Sequence, residues 1–106
     1  MVIIETTIFT SLIQALLTDE EYSELQETLV CNPRGGAVIK GSGGLRKIRC
    51  KIAWKGKRGG VRIIYYYLDQ VDQIYMLYAY QKNRQSDLTG QQIKKLQAVV
   101  MQEINK

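Results

Sequence analysis

The sequence predicts an α+β domain in which helices pack on a curled antiparallel sheet. Three consecutive segments between Lys47 and Tyr80 carry strand patterns, alternating or β-branched and aromatic. Capping-box spacings at Thr18 with Glu21 and at Thr89 with Gln92 open amphipathic helical segments on either side of them. The chain has 106 residues and no internal repeat, low-complexity tract or linker, so residues 1–106 form one domain.

Val2 to Phe9 begins β-branched and alternating, as an opening strand does, and Thr10 to Leu17 continues as a short helix. Asp19 to Glu21 then place negative charge at the start of a second helix whose apolar face holds Tyr22, Leu25 and Leu29. Asn32, Pro33, Arg34, Gly35 and Gly36 end it, and Gly41, Ser42, Gly43 and Gly44 read as a flexible connection. Ile48, Cys50, Ile52 and Trp54 alternate with Lys47, Arg49 and Lys51, which makes a half-buried strand with a cationic outer face. Lys55 to Gly60 reads as a loop and Val61 to Leu68 as a central strand. Asp69 to Asp72 forms a hairpin turn, and Ile74 to Tyr80 completes an antiparallel meander. Ile93, Leu96, Val100 and Ile104 recur along one face of a C-terminal helix that covers the sheet.

Charge is segregated along this chain. The 41 residues from Thr28 to Leu68 contain no acid and ten cations, whereas the first 27 residues hold six acids and no base. The overall charge is only +5, but ten cations in one segment create a local field suited to a polyanion, nucleic acid first among them. A solvated basic face without a partner is the plainer alternative. No stretch approaches the roughly 20 apolar residues that span a bilayer. The N-terminus lacks the basic region and cleavage site of a signal peptide, so a cytoplasmic protein without membrane association is expected. Cys31 and Cys50 lie apart in a chain without histidine and cannot build a structural zinc site alone, so they read as small apolar residues kept reduced.

The loop Lys55, Gly56, Lys57, Arg58, Gly59, Gly60, followed by Arg62, is the densest functional candidate. Glycine lets backbone approach an anion closely, while lysine and arginine offer point-charge and bidentate contacts to phosphate. The GxxxxGK[ST] spacing is absent and the motif enters a strand, which argues against ATP binding. Arg62 stands inside an apolar strand, where a charge is costly unless an acid or a bound phosphate faces it. Lys82 and Arg84 follow the last strand and can reach the same sheet face or edge as Arg62 and Lys47. The seven tyrosines fall mostly on strands and serve packing by default, with stacking of Tyr80 on an RNA base as the alternative.

These residue types lack the clustered carboxylates or histidines of a metal-dependent nuclease. They do permit cleavage of RNA, which carries its own nucleophile in the 2′-hydroxyl. Such cleavage needs a base for that proton, cations for the charged phosphorane and an acid for the leaving 5′-oxygen. Arginine suits the second task. Lys55, Lys57 and Arg58 crowd one another in the sense that lowers a lysine pKa towards acid–base work. No cofactor is called for.

Gly44, Leu45, Arg46, Lys47, Ile48 and Arg49, together with Gly56 to Gly60 and Val61, Arg62, Ile63, Ile64, Tyr65 and Tyr66, closely resemble the HigB branch of the RelE/ParE toxin superfamily. The similarity extends through Asp19 to Tyr22, Asn32 and Pro33, and Tyr80 to Leu88. The resemblance implies a RelE-like fold and a ribosome-dependent mRNA endonuclease of a bacterial type II toxin–antitoxin module. It also implies that a cognate helix-turn-helix antitoxin neutralises the protein and alone brings it near DNA. By matching position, Arg62 resembles the strand arginine that stabilises the scissile phosphate and Lys82 a second catalytic cation. Lys57 is the expected proton-transfer or phosphorane-stabilising lysine. Lys47 and Arg49 match the paired basic residues of the preceding strand, and Lys55, Arg58 and Arg84 are expected to contact nucleic acid. The C-terminal tyrosine of RelE-type members is replaced near Leu88, which leaves the general acid and base unassigned. ParE-like toxins use the same fold to bind and inhibit DNA gyrase without nuclease chemistry, and fold alone does not separate the two.

Overall fold

The computed structural model describes residues 1–50 and 60–105. Along the chain lie β1 (Val2–Glu5), α1 (Thr7–Leu16), α2 (Asp19–Cys31), β2 (Ala37–Val38), β3 (Arg46–Cys50), β4 (Val61–Leu68), β5 (Gln73–Gln81) and α3 (Gly90–Ile104). The strands form one sheet in the order β1-β5-β4-β3-β2. The expected α+β architecture is present, with α1 and α2 on one face of the sheet and α3 on the other.

The meander β3-β4-β5 is antiparallel as expected, and β2 extends it. The opening strand departs from the antiparallel pattern: β1 pairs with β5 in parallel, so the sheet is mixed. The strand is also shorter than its β-branched sequence suggests. Thr6 accepts a hydrogen bond from the Phe9 amide at 3.2 Å and caps α1, so Phe9 sits in the helix, fully buried, instead of closing the strand.

The helix starts follow their sequence signals. The Thr18 hydroxyl accepts from the Glu21 amide at 3.1 Å, while the Glu21 carboxylate accepts from the Thr18 amide at 2.8 Å. Thr89 and Gln92 repeat this reciprocal cap at α3. Leu25 and Leu29 of α2 are buried with Phe9, Ile13 and Leu17 against Val61, Ile63, Tyr65, Ile74, Met76 and Ala79 of the sheet. Each valine, leucine, isoleucine, methionine or phenylalanine among them contributes about 1.5–3 kcal/mol through burial.

Between α2 and β3 the chain is tied down by polar contacts. The Tyr65 hydroxyl donates to the Pro33 carbonyl at 2.9 Å and accepts from the Gly36 amide at 2.8 Å. Residues 41–44, expected to be a flexible connection, make an ordered turn. Ser42 is buried, donates to the Ile39 carbonyl and accepts from the Leu45 amide at 3.0 Å. Gly44 there has φ of 106°, which a side chain would strain.

On the α3 face, Leu45, Ile64, Tyr75, Leu77, Tyr80, Leu96 and Val100 form a second core. The register between β4 and β5 slips by one residue there: Tyr65 faces Met76 but Ile64 faces Tyr78, so Leu77 is an extra residue in β5. The bulge turns both Leu77 and Tyr78 towards the α3 side. Among the described residues no helix is long and apolar enough to cross a membrane.

A candidate nucleic-acid interface on the sheet

Two cross-strand rows define the site. Arg62, in the middle of β4, faces Arg49 of β3 on one side and Tyr80 of β5 on the other. Directly opposed residues project from the same face, so these three side chains form one row across the sheet. The neighbouring row is Lys47, Ile64 and Tyr78. Both lie on the face that carries α3: Ile64 and Tyr80 belong to the core shared with the helix, and Lys47 and Arg49 lie outside that core.

Burial grades this row. Arg62 is only 7% exposed, Tyr80 5% exposed, and Arg49 is open to solvent. Opposed like charges on neighbouring strands are unfavourable. Burial intensifies the field of Arg62, because a low local dielectric screens it poorly. A face built this way suits a multiply charged anion.

The segment after β5 bends towards the same face. The Lys82 amide donates to the Gly60 carbonyl at 3.2 Å, and the Arg84 amide to the Gln81 carbonyl at 3.1 Å. Asp87 then brings a carboxylate beside the cations, 3.4 Å from the Lys47 ammonium. A hydrogen bond from the Leu88 amide, with Lys47 and Lys82 nearby, holds its carboxyl below the usual range. Gln92, in the first turn of α3, hydrogen-bonds through its Nε2 to the Tyr78 hydroxyl at 3.4 Å and through its Oε1 to Gln85. The site thus ends at the N-terminus of α3.

Of the residues singled out from sequence, Arg62, Arg49 and Lys47 come together on one face, and Lys82 joins them through Asp87. Arg84 lines a shallow groove with Leu12 and Leu16 of α1 and Gln85, at the edge of β5. Lys55, Lys57 and Arg58, along with the expected strand positions Ile52 and Trp54, lie outside the described residues. Two members were missed. Asp87 was not among the candidates but is paired with Lys47, and Tyr80 was assigned to packing, with base stacking as the alternative. The alternation of β5 gives the face of Tyr80 only once the bulge at Leu77 is counted. Among the described residues, no three of His, Cys, Asp and Glu gather as metal ligands would.

No family model matches the sequence. The structure belongs to the class of small α+β domains with a five-stranded sheet between helical layers, and it is similar to a known member of that class. With the E. coli toxin RelE, solved in the free state as a mutant with arginines replaced by alanine, it shares a TM-score of 0.59 at 16% identity. The match covers 80% of this chain and 86% of that one. The chain has the RelE fold, as the sequence resemblance implied.

Proposed function

We propose that this chain is the toxin of a bacterial type II toxin–antitoxin module, a ribosome-dependent mRNA endonuclease of the HigB branch. The observation that carries the reading is the row Arg49, Arg62 and Tyr80, flanked by Lys47, on a sheet of RelE fold. A largely buried guanidinium with basic neighbours on the same face supports this reading, since such a group attracts a phosphodiester.

In this reading the 2′-hydroxyl of the substrate attacks the adjacent phosphorus, and the 5′-oxygen leaves with a proton. Arg62 and Lys82 stabilise the dianionic phosphorane, which forms in a partly desolvated setting where fixed charges act strongly. Lys47 and Arg49 hold flanking phosphates, joined by Arg84, Lys55 and Arg58. Lys57 is the proposed proton-transfer lysine. Because RNA supplies its own nucleophile, the reaction as written needs no metal-bound water. The ribosome supplies orientation of the mRNA that so open a site does not provide itself. The partners are therefore mRNA on the ribosome and a helix-turn-helix antitoxin, all in the cytoplasm.

The test is cleavage of a defined mRNA by wild type and Arg62→Ala, each with and without programmed ribosomes. Cleavage only by wild type and only on ribosomes is expected, with the mutant as well folded as its parent. If folded wild-type protein leaves the message intact on ribosomes, the endonuclease reading fails. Inhibition of DNA gyrase by that protein would then place it with the ParE-like toxins.

A further inference from the structure

Tyr80 is buried to 95%, and among the described residues its hydroxyl meets no hydrogen-bond partner. Other buried tyrosines on this sheet are satisfied: Tyr65 by Pro33 and Gly36, Tyr75 by Gln73. An orphaned buried hydroxyl costs stability, so its position calls for an explanation. It occurs where the sheet faces the cationic row, with Arg62 directly opposite and the Tyr78 ring 6.0 Å away.

The geometry points to Tyr80 as a phosphate-binding residue, its hydroxyl donating to a non-bridging oxygen of the phosphodiester held by Arg62. The assignment rests on the nucleic-acid reading of this face and adds to it a neutral donor. Stacking of the ring on a base is disfavoured by its burial, because no free aromatic face is left to offer. The buried ring fixes the direction of the hydroxyl, so little side-chain ordering accompanies its hydrogen bond to the anion. Burial, and after it the nearby Asp87 carboxylate, push the phenol up from its ordinary value, against the opposing effect of Arg62. The group consequently stays protonated near neutrality and donates its hydrogen bond without giving up the proton.

The row then has a division of labour. Arg62 supplies charge, Arg49 reaches from the solvent side, and Tyr80 supplies direction, because a single O–H vector fixes the phosphate more narrowly than a lysine ammonium does. The orphaned hydroxyl of the free protein acquires its partner when the anion arrives.

Tyr80→Phe keeps the ring and removes only the hydroxyl. Wild type and variant would be compared for binding of a 2′-O-methylated single-stranded RNA, which cannot be cleaved, and for cleavage of mRNA on programmed ribosomes. The wild-type Tyr80 Cζ resonance, assigned through bonds in ¹³C-tyrosine protein, would be followed as that RNA is added. The variant is expected to melt at the same or a higher temperature, to bind roughly tenfold more weakly and to cleave roughly 10- to 100-fold more slowly. The Cζ resonance should move on binding. Equal binding and cleavage by the variant, an unmoved resonance, or failure of wild type to bind the RNA even at low salt would each overturn the assignment. Weakened binding by the variant alongside a wild type that never cleaves would uphold Tyr80 and reject only the endonuclease reading. Should the variant not fold, the wild-type resonance decides the matter.

Discussion

Lys47 on β3 and Asp87, two residues before the N-cap of α3, form an ion pair of 3.4 Å between elements 40 residues apart. The Asp87 side chain is 67% exposed, so the pair is held loosely and contributes little to stability. Its effect on the site is larger: a carboxylate occupies one flank of the cationic row and competes with any incoming phosphate for Lys47. Asp87→Asn keeps an acceptor for the Leu88 amide, which donates to Asp87 at 2.9 Å, but removes the charge. RNA affinity measured by fluorescence anisotropy is expected to rise severalfold at low salt. The folded-state value of this carboxyl lies below its usual 3.8. Its small stabilisation is therefore present above that pH and lost as the pH falls through the folded value. Acid unfolding of the Asn variant should lack that component.

Salt dependence measures how many cations meet phosphate. Lys47, Arg49, Arg62 and Lys82, joined by Arg84, Lys55 and Arg58, are the proposed contacts with a single strand, which predicts a slope of about −5 in a plot of log affinity against log salt. Arg49→Ala should make that slope shallower by somewhat less than one. A slope near zero for wild type would remove phosphate contacts from the account.

The Tyr65 hydroxyl joins Pro33 and Gly36 to the middle of β4, beneath the strand that carries Lys47. Tyr65→Phe leaves the Gly36 amide and the Pro33 carbonyl without this partner and should cost about 1–3 kcal/mol in urea unfolding. Gly36→Ala acts on the same contact from the other side. Its Cβ would fall 2.7 Å from the Tyr65 hydroxyl oxygen and 3.1 Å from the Lys47 carbonyl, so something must shift. A loss of about 1–3 kcal/mol is expected, with the double variant losing less than the sum of the two.

Cys31 is exposed, whereas burial, with a smaller contribution from Glu21, pushes the Cys50 thiol up to about 11. Alkylation by iodoacetamide at pH 8 should therefore label Cys31 first and Cys50 at least about tenfold more slowly, because the thiolate is the reactive form. Mass mapping over time checks the order. Equal rates would show that the α2 side of β3 is open.

What could be read from sequence depended on whether a feature is local. Val61 to Leu68 was delimited correctly because β-branched and aromatic residues run without interruption between Gly60 and Asp69. The two capping boxes were legible for the same reason, each being complete within four residues. The parallel pairing of β1 was not, since strand direction in a sheet is decided by connections and by a partner more than 70 residues away. Gly41 to Gly44 looked flexible because its composition suggests freedom and hides the hydrogen bonds of the buried Ser42. In the site, Arg62 stood out as a charge within an apolar strand. Tyr80 did not, because counting back from the turn at Asp69 sets Arg62 opposite Ala79 until the extra residue Leu77 is included.

That extra residue also divides β5 into two mechanically different halves. Gln73 to Met76 are held from both edges, by β1 and by β4, while among the described residues the stretch beyond Leu77 has a strand neighbour only in β4. Amide exchange should be slow throughout the first half. In the second it should be slow only at groups turned towards β4, so the portion bearing Tyr80 can adjust its tilt by a fraction of an ångström without disturbing the core built around Phe9 and Met76. A substrate presented by a much larger assembly thus meets a surface with some compliance, mounted on a base that does not yield.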